Sequence, residues 1–262
     1  MRVHNMLEVR LLHLETKRLY DRVVEEQKVS ERLLLNVLPT FVAERLKGRP
    51  EVLADRFTEV IADSFPEATV LFADIVDFTE LSGGLSPQDL VAMLNEIFTD
   101  FDRICENRGL QKVKTIGHAY MAVAGIPVLV ADHAVRAAQM ALDLIEVMDR
   151  FNARSGHTLQ VRIGINTGAV VAGVIGTSRN FIYDMWGDAV NVASLMESHG
   201  VAGRVHMTES TRGRLSEPFL LEKRGTIDLQ GKGPMETWFL TGRSAEIITM
   251  PEPGDRQPLA SA

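Results

Sequence analysis

The chain has 262 residues, 45% hydrophobic and 24% charged, with a formal net charge of -7, so it can build one large domain with an appendage and is neither wholly disordered nor collagen-like. The acidic balance argues against a nucleic-acid partner, which calls for a basic face, and the single cysteine, Cys105, excludes a disulfide framework or a cysteine metal cluster. No apolar run approaches the roughly 20 residues of a membrane span and no signal peptide opens the chain, so a cytoplasmic protein is expected.

Met1 to Leu46 holds no glycine and one proline, Pro39, amid Leu, Val, Glu, Arg and Lys, a composition that favours a long helix. Val9, Leu12, Leu19, Val23, Leu33 and Val37 follow an alternating three-and-four spacing, the seam of a coiled coil, interrupted by Thr16, Glu26 and Ser30. The competing reading is a single amphipathic helix packed on its own domain. Pro39 pushes Leu38 out of the helical region, so the helix breaks there and Thr40 to Leu46 forms a short second helix. Glu51 to Pro66 reads as irregular or loosely helical and carries the domain boundary.

Thr69 to Ile75 is a short, mostly apolar run, the pattern of a strand buried on both faces. Ser86-Pro87-Gln88-Asp89 is a capped helix start, and Leu90, Met93, Leu94, Ile97 and Phe98 continue at helical spacing. Gln111 to Ile116 and Ala119 to Ala124 read as strands joined by a Gly117-His118 turn. His133 to Arg150 is a helix, Val161 to Asn166 a strand ending at Thr167-Gly168, and Val190 to Met196 a helix. Val205 to Thr208 and Trp238 to Leu240 close the series as strands, and Pro251 to Ala262 reads as a disordered tail. The pattern indicates an α/β or α+β sandwich with helices packed over one sheet. The expected division is a helical segment 1–47, a linker 48–64, a catalytic-sized domain 65–243 and a tail 244–262.

Three segments carry chemistry. In the first, an apolar strand ends on Asp74 and turns at Asp77 into Phe78-Thr79-Glu80-Leu81, which can open a helix. A carboxylate at the sheet's edge beside free helix amides suits a metal-bound phosphate; two turn aspartates at a strand end are the plainer alternative. In the second, Lys114 sits among β-branched residues, either half-buried and needing an acceptor or facing water on an edge strand. In the third, Asp184, Trp186 and Gly187 precede a helix that carries Asn191, a set that a capped helix start would also explain.

Taken together, in this order and spacing, the segments resemble the catalytic domain of class III nucleotidyl cyclases. Phe72-Ala73-Asp74-Ile75 through Phe78-Thr79 is similar to that family's first metal and phosphate segment. Lys112-Val113-Lys114-Thr115-Ile116-Gly117 resembles its hairpin, and Tyr183-Asp184-Met185-Trp186-Gly187 through Asn191-Val192-Ala193-Ser194 its purine and ribose segment. Val161-Arg162-Ile163-Gly164-Ile165 and Gly231-Lys232-Gly233 match two further patterns. The likeness covers about Phe65 to Gly242 and implies an α+β, ferredoxin-like cyclase sandwich, a mixed sheet covered by helices, preceded by a long dimerising helix. Leu35-Asn36-Val37-Leu38-Pro39 resembles the lead-in of mycobacterial-type membrane cyclases, where a membrane part precedes it.

By that resemblance, Asp74 and the Ile75 carbonyl hold metal, while amides around Phe78 and Thr79, with Arg162 and Lys232, bind phosphates. Lys114 and Asp184 read the purine and Asn191 orients the ribose. A lysine donor with an aspartate acceptor suits adenine, and guanine presents the reverse polarity, so ATP is expected as the substrate. Two divalent ions, Mg²⁺ or Mn²⁺, are implied, in a site shared between the chains of a homodimer.

Two positions depart from the family pattern. His118 stands where a second metal carboxylate is usual, and Leu195 stands where an arginine stabilises the transition state. The imidazole removes a negative charge and favours Mn²⁺ over Mg²⁺; leucine cannot stabilise developing charge. The expectations are therefore an adenylate cyclase impaired at these positions, or a catalytically silent cyclase homology domain that binds ATP and dimerises. A palm-like polymerase domain would not need Lys114 with Asp184.

Overall fold

The computed structural model describes residues 2–35, 38–47, 61–177 and 180–244. Helix α1 (Arg2–Leu35) stops before Pro39, and α2 (Thr40–Lys47) follows it, as the proline demands. Along α1, Leu12, Leu19, Val23 and Leu33 are all more than half exposed, so the apolar seam has no partner among the described residues. Val9 has no described side chain, and Val37 and the Pro251 to Ala262 tail lie outside the described residues.

One eight-stranded sheet organises the rest. In chain order its strands and covering helices begin with β1 (Ile61–Val76), α3 (Phe78–Ser82), α4 (Pro87–Asn107), β2 (Gln111–Ile116), β3 (Ala119–Ala124) and α5 (His133–Ser155). They continue with β4 (Gln160–Thr177), β5 (Asn180–Trp186), α6 (Asp188–Ser198), β6 (Val205–Thr208), α7 (Glu209–Arg212), β7 (Phe219–Leu229) and β8 (Gly233–Arg243). The strand order is β2-β3-β1-β4-β6-β8-β7, with β5 paired to the far half of β4. All pairings are antiparallel except β4 with β6.

Strand β1 is apolar on both sides because both sides are covered. Leu71, Ala73 and Ile75 join the core under α4 and α5, with Phe101, Leu144 and Met148. Val70 and Phe72 face the other core, with Val42 of α2, Tyr183 and Met185 of β5, and Ala189 and Ala193 of α6. Ser86 caps α4 by accepting from the Asp89 amide, as its sequence indicates.

Several spans differ from expectation. Ile61 to Pro66, read as irregular, is the first part of β1, paired to Val170–Val174 across a register shift between Phe65 and Ala68. Strand β4 does not stop at Thr167-Gly168 but runs on to Thr177, where it pairs with β5. Strand β7 was not anticipated, and β8 extends well beyond Trp238–Leu240. Glu51 to Val60 lies outside the described residues.

Candidate active site

The first group of site residues forms at the carboxyl end of β1. Asp74 pairs in register with Ala119 of β3 and Arg162 of β4, so it lies on a central strand. The expectation of a sheet-edge carboxylate is corrected accordingly: the side chain gains access from the strand's end, not its flank. After β1, Asp77 adopts a left-handed conformation (φ 60°) and launches the five-residue α3, which carries Phe78 and Thr79. The β2–β3 turn at Gly117 (φ 62°) brings His118 over the same end.

His118 stacks on Phe78 with ring centroids 4.9 Å apart and an interplanar angle of 14°. Its Nε2 lies 3.2 Å from Asp74 Oδ1. Arg162 Nη2 donates to Asp74 Oδ2 at 3.4 Å, and Arg162 Nε donates to Glu197 Oε1 on α6 at 2.7 Å. Asp74, Phe78, His118 and Arg162 border an open cleft of about 470 Å³. Burial raises the pKa of the Asp74 carboxyl, opposed by the nearby His118 and Arg162. Burial likewise raises Glu197, opposed chiefly by its hydrogen bond from Arg162.

The second group gathers around β5 and α6. Lys114 Nζ donates to Asp184 Oδ2 at 2.5 Å, and Asp184 Oδ1 accepts the Met185 amide at 2.8 Å. Asp184 is 8% exposed, so Lys114 has found the acceptor that half-burial requires. A register shift between Lys112 and Lys114 lets the neighbouring lysine turn to Asp102 instead, at 2.8 Å. Asn191 is exposed in the first turns of α6, and the half-buried Leu195 lies one turn on, along the same side of the helix. Lys232, in the β7–β8 turn, pairs with Asp188 at the start of α6.

These groups do not share a cleft: none of Lys114, Asp184, Asn191 and Lys232 lines the one at Asp74. On β4, Arg162 pairs with Asp74 and Gly173 pairs with Asp184. The two pairing positions lie eleven residues apart along β4. One chain therefore brings Asp74, Phe78, His118 and Arg162 together, brings Lys114 to Asp184, and sets Lys232 beside the helix of Asn191. It does not close all of them around one nucleotide. Glu197 and Asp188 carry no distinctive local signal in the sequence; only their long-range partners reveal them.

The donor chemistry offers a hard cation a single carboxylate, that of the half-buried Asp74 facing the cleft. It does not fit a pair of ions. Both Asp74 oxygens are already engaged, the adjacent donor is an imidazole, and the described residues contain no group of three or more His, Cys, Asp or Glu side chains able to hold a metal.

Comparison with known proteins places this geometry. The family profile described as the adenylate and guanylate cyclase catalytic domain matches residues 60–242. An adenylate cyclase of Mycobacterium tuberculosis is 45% identical over 218 residues, covering 83% of this chain and 47% of that protein. The soluble guanylate cyclase subunit beta-2 of Rattus norvegicus is 40% identical over 229 residues, 86% of this chain and 32% of the relative. The chain thus spans half or less of the length of these relatives. Among solved structures, the guanylate cyclase domain of RhGC from Catenaria anguillulae, in complex with GTP, superposes with a TM-score of 0.67 at 40% identity, covering 70% of this chain and all of that one (100%). The adenylyl cyclase CyaB from P. aeruginosa gives 0.66 at 27% identity, covering 70% of this chain and 97% of that chain. With the profile matched over residues 60–242 and relatives at 40–45% identity, the chain belongs to the adenylate and guanylate cyclase catalytic-domain family.

Proposed function

We propose that this chain is an adenylate cyclase domain that converts ATP to 3′,5′-cyclic AMP and pyrophosphate at sites shared between two copies, with turnover reduced by His118 and Leu195. The observation that carries the proposal is that the two halves of the site line different places on one chain. The cleft at Asp74 is lined by none of Lys114, Asp184, Asn191 and Lys232, yet both the phosphate end and the purine end are built. A second copy supplies the missing half to each, and the exposed seam of α1 is suited to hold two copies parallel.

In this site Lys114 donates to adenine N1 and Asp184 accepts from the exocyclic amine. Guanine would leave both groups facing like partners, at a cost of about 1–3 kcal/mol each. Asn191 orients the ribose so that its 3′-oxygen lies in line with the α-phosphorus; the new O–P bond forms as the bond to pyrophosphate breaks. Arg162 on one copy and Lys232 on the other bind the phosphates. Asp74, with His118 beside it, would hold a divalent cation that would supply charge neutralisation at the phosphates, and the imidazole donor suits Mn²⁺ better than Mg²⁺. Leu195 contributes no charge where negative charge develops.

A second reading, a catalytically silent domain that binds ATP and dimerises, is favoured by the two departures themselves, which fall one in each half-site. The resemblance of Leu35-Asn36-Val37-Leu38-Pro39 to the lead-in of membrane cyclases supports a membrane part before α1 in the full protein, with this domain on the cytoplasmic side; among the described residues no helix is long and apolar enough to cross a membrane. The shared site is tested by mixing. In a His118→Asp/Leu195→Arg background, Asp74→Ala and Asp184→Ala chains are each inactive alone, and mixing them recovers one intact site per heterodimer. No recovery on mixing, with both chains folded and dimeric, would refute the shared site.

A further inference from the structure

Arg162 reaches two carboxylates at once, and the contacts are unequal. Its Nε donates to Glu197 at 2.7 Å, whereas its Nη2 is 3.4 Å from Asp74. The Glu197 and Asp74 side chains are 12% and 14% exposed, and that of Arg162 is 27% exposed. A guanidinium tied through Nε keeps its other N–H donors for the cleft that it borders. The backbone around this contact has no slack. A Cβ on Gly164 would come within 2.0 Å of the Glu197 nitrogen, and one on Gly200 within 2.9 Å of Arg162 Cγ. Helix α6 therefore lies flush on β4 where Glu197 holds Arg162, and the Arg162 stem is wedged beside Gly200.

We infer that Glu197 is a positioning residue that fixes Arg162 toward the phosphate end of the site. Because Glu197 shares α6 with Asn191 and Leu195, the same helix that meets a ribose in one shared site holds the phosphate arginine of the other. The two sites of a dimer are then mechanically joined through α6. This role in substrate binding rests on the shared-site reading above; the clamp itself does not.

Two measurements on the full chain test it. The rate at which phenylglyoxal modifies Arg162, followed by peptide mass, reads the clamp without nucleotide. Glu197→Ala is expected to raise that rate about tenfold, the loss of one charge-assisted hydrogen bond. Glu197→Gln, which keeps an acceptor for the Nε–H, should stay near wild type. Binding of ATP and of adenosine reads the consequence: Glu197→Ala weakens ATP about tenfold and leaves adenosine, which has no phosphates, nearly unchanged. An unchanged modification rate in Glu197→Ala, or equal loss of both ligands, would overturn the inference. A wild-type chain that binds ATP no more tightly than adenosine would instead refute the shared-site reading, and the modification rates would still decide the clamp.

Discussion

Replacing Gly164 with alanine should damage the site from beneath. The added Cβ would lie 2.0 Å from the Glu197 nitrogen, 2.5 Å from the Ala193 carbonyl oxygen and 2.6 Å from Glu197 Cα, where contacts under 3.0 Å are essentially never made. All three atoms are backbone, so no rotamer change relieves them, and α6 must retreat from β4 by about 1 Å. Overpacking of this kind costs about 1–3 kcal/mol. The same retreat would stretch the Arg162–Glu197 contact from its 2.7 Å and shift Asn191 and Leu195 with the helix. Urea unfolding should show a lower midpoint with an unchanged slope, and ATP affinity should fall together with it. Stability within about 0.5 kcal/mol of wild type, with ATP binding unaffected, would refute the claim that α6 and β4 are in direct backbone contact at the site.

Two further outcomes follow from the buried charges. His206 is fully buried, donates from Nδ1 to the Met196 carbonyl at 2.8 Å and faces Arg224 across 3.2 Å, and burial pulls its pKa down to about 4. The unfolded chain, with an imidazole near 6.5, takes up a proton that the folded chain refuses. Stability is then complete above about pH 6.5 and falls, by about 3 kcal/mol in all, as the pH drops toward 4. His206→Gln should flatten that fall in urea midpoints measured between pH 7.5 and 4.5; equal slopes in the two proteins would contradict it. Lys114→Ala leaves the buried Asp184 carboxylate without its cation, which should cost about 1–3 kcal/mol of stability. It should also reduce ATP affinity and erase a preference for ATP over GTP in competition binding; a retained preference would show that Lys114 does not read the base.

Much of the fold was legible wherever a local pattern sufficed. Met93 and Ile97 of α4 show the core-facing spacing directly, and Pro39 marks the break between α1 and α2. The start of β1 was not legible, because Asp63, Ser64 and Pro66 disrupt the strand alternation and their pairing lies about 110 residues away on β4. Strand β5 does not alternate in burial, since Tyr183, Asp184 and Met185 are all buried between exposed Ile182 and Trp186, and its short length next to α6 suggested a helix lead-in. Strand β7 hides its signal behind Glu222, Lys223 and Arg224. The site residues were found only as a constellation, since Lys114 and Asp184 are 70 residues apart and Asp74 and Arg162 are 88 apart. Glu197 had no signal at all: a glutamate in an amphipathic helix is unremarkable until its arginine is seen.

The central claim is that this is a cyclase site impaired at two identifiable positions. Cyclic AMP formation from ATP, measured with Mg²⁺ and with Mn²⁺ for the wild-type chain and for His118→Asp, Leu195→Arg and the double variant, tests it most directly. Restoring the arginine should raise turnover on the order of 10³-fold or more, the scale of such cations in phosphoryl transfer, and restoring the aspartate should improve activity with Mg²⁺ relative to Mn²⁺. A folded, dimeric double variant that forms no cyclic AMP with either metal would contradict the account.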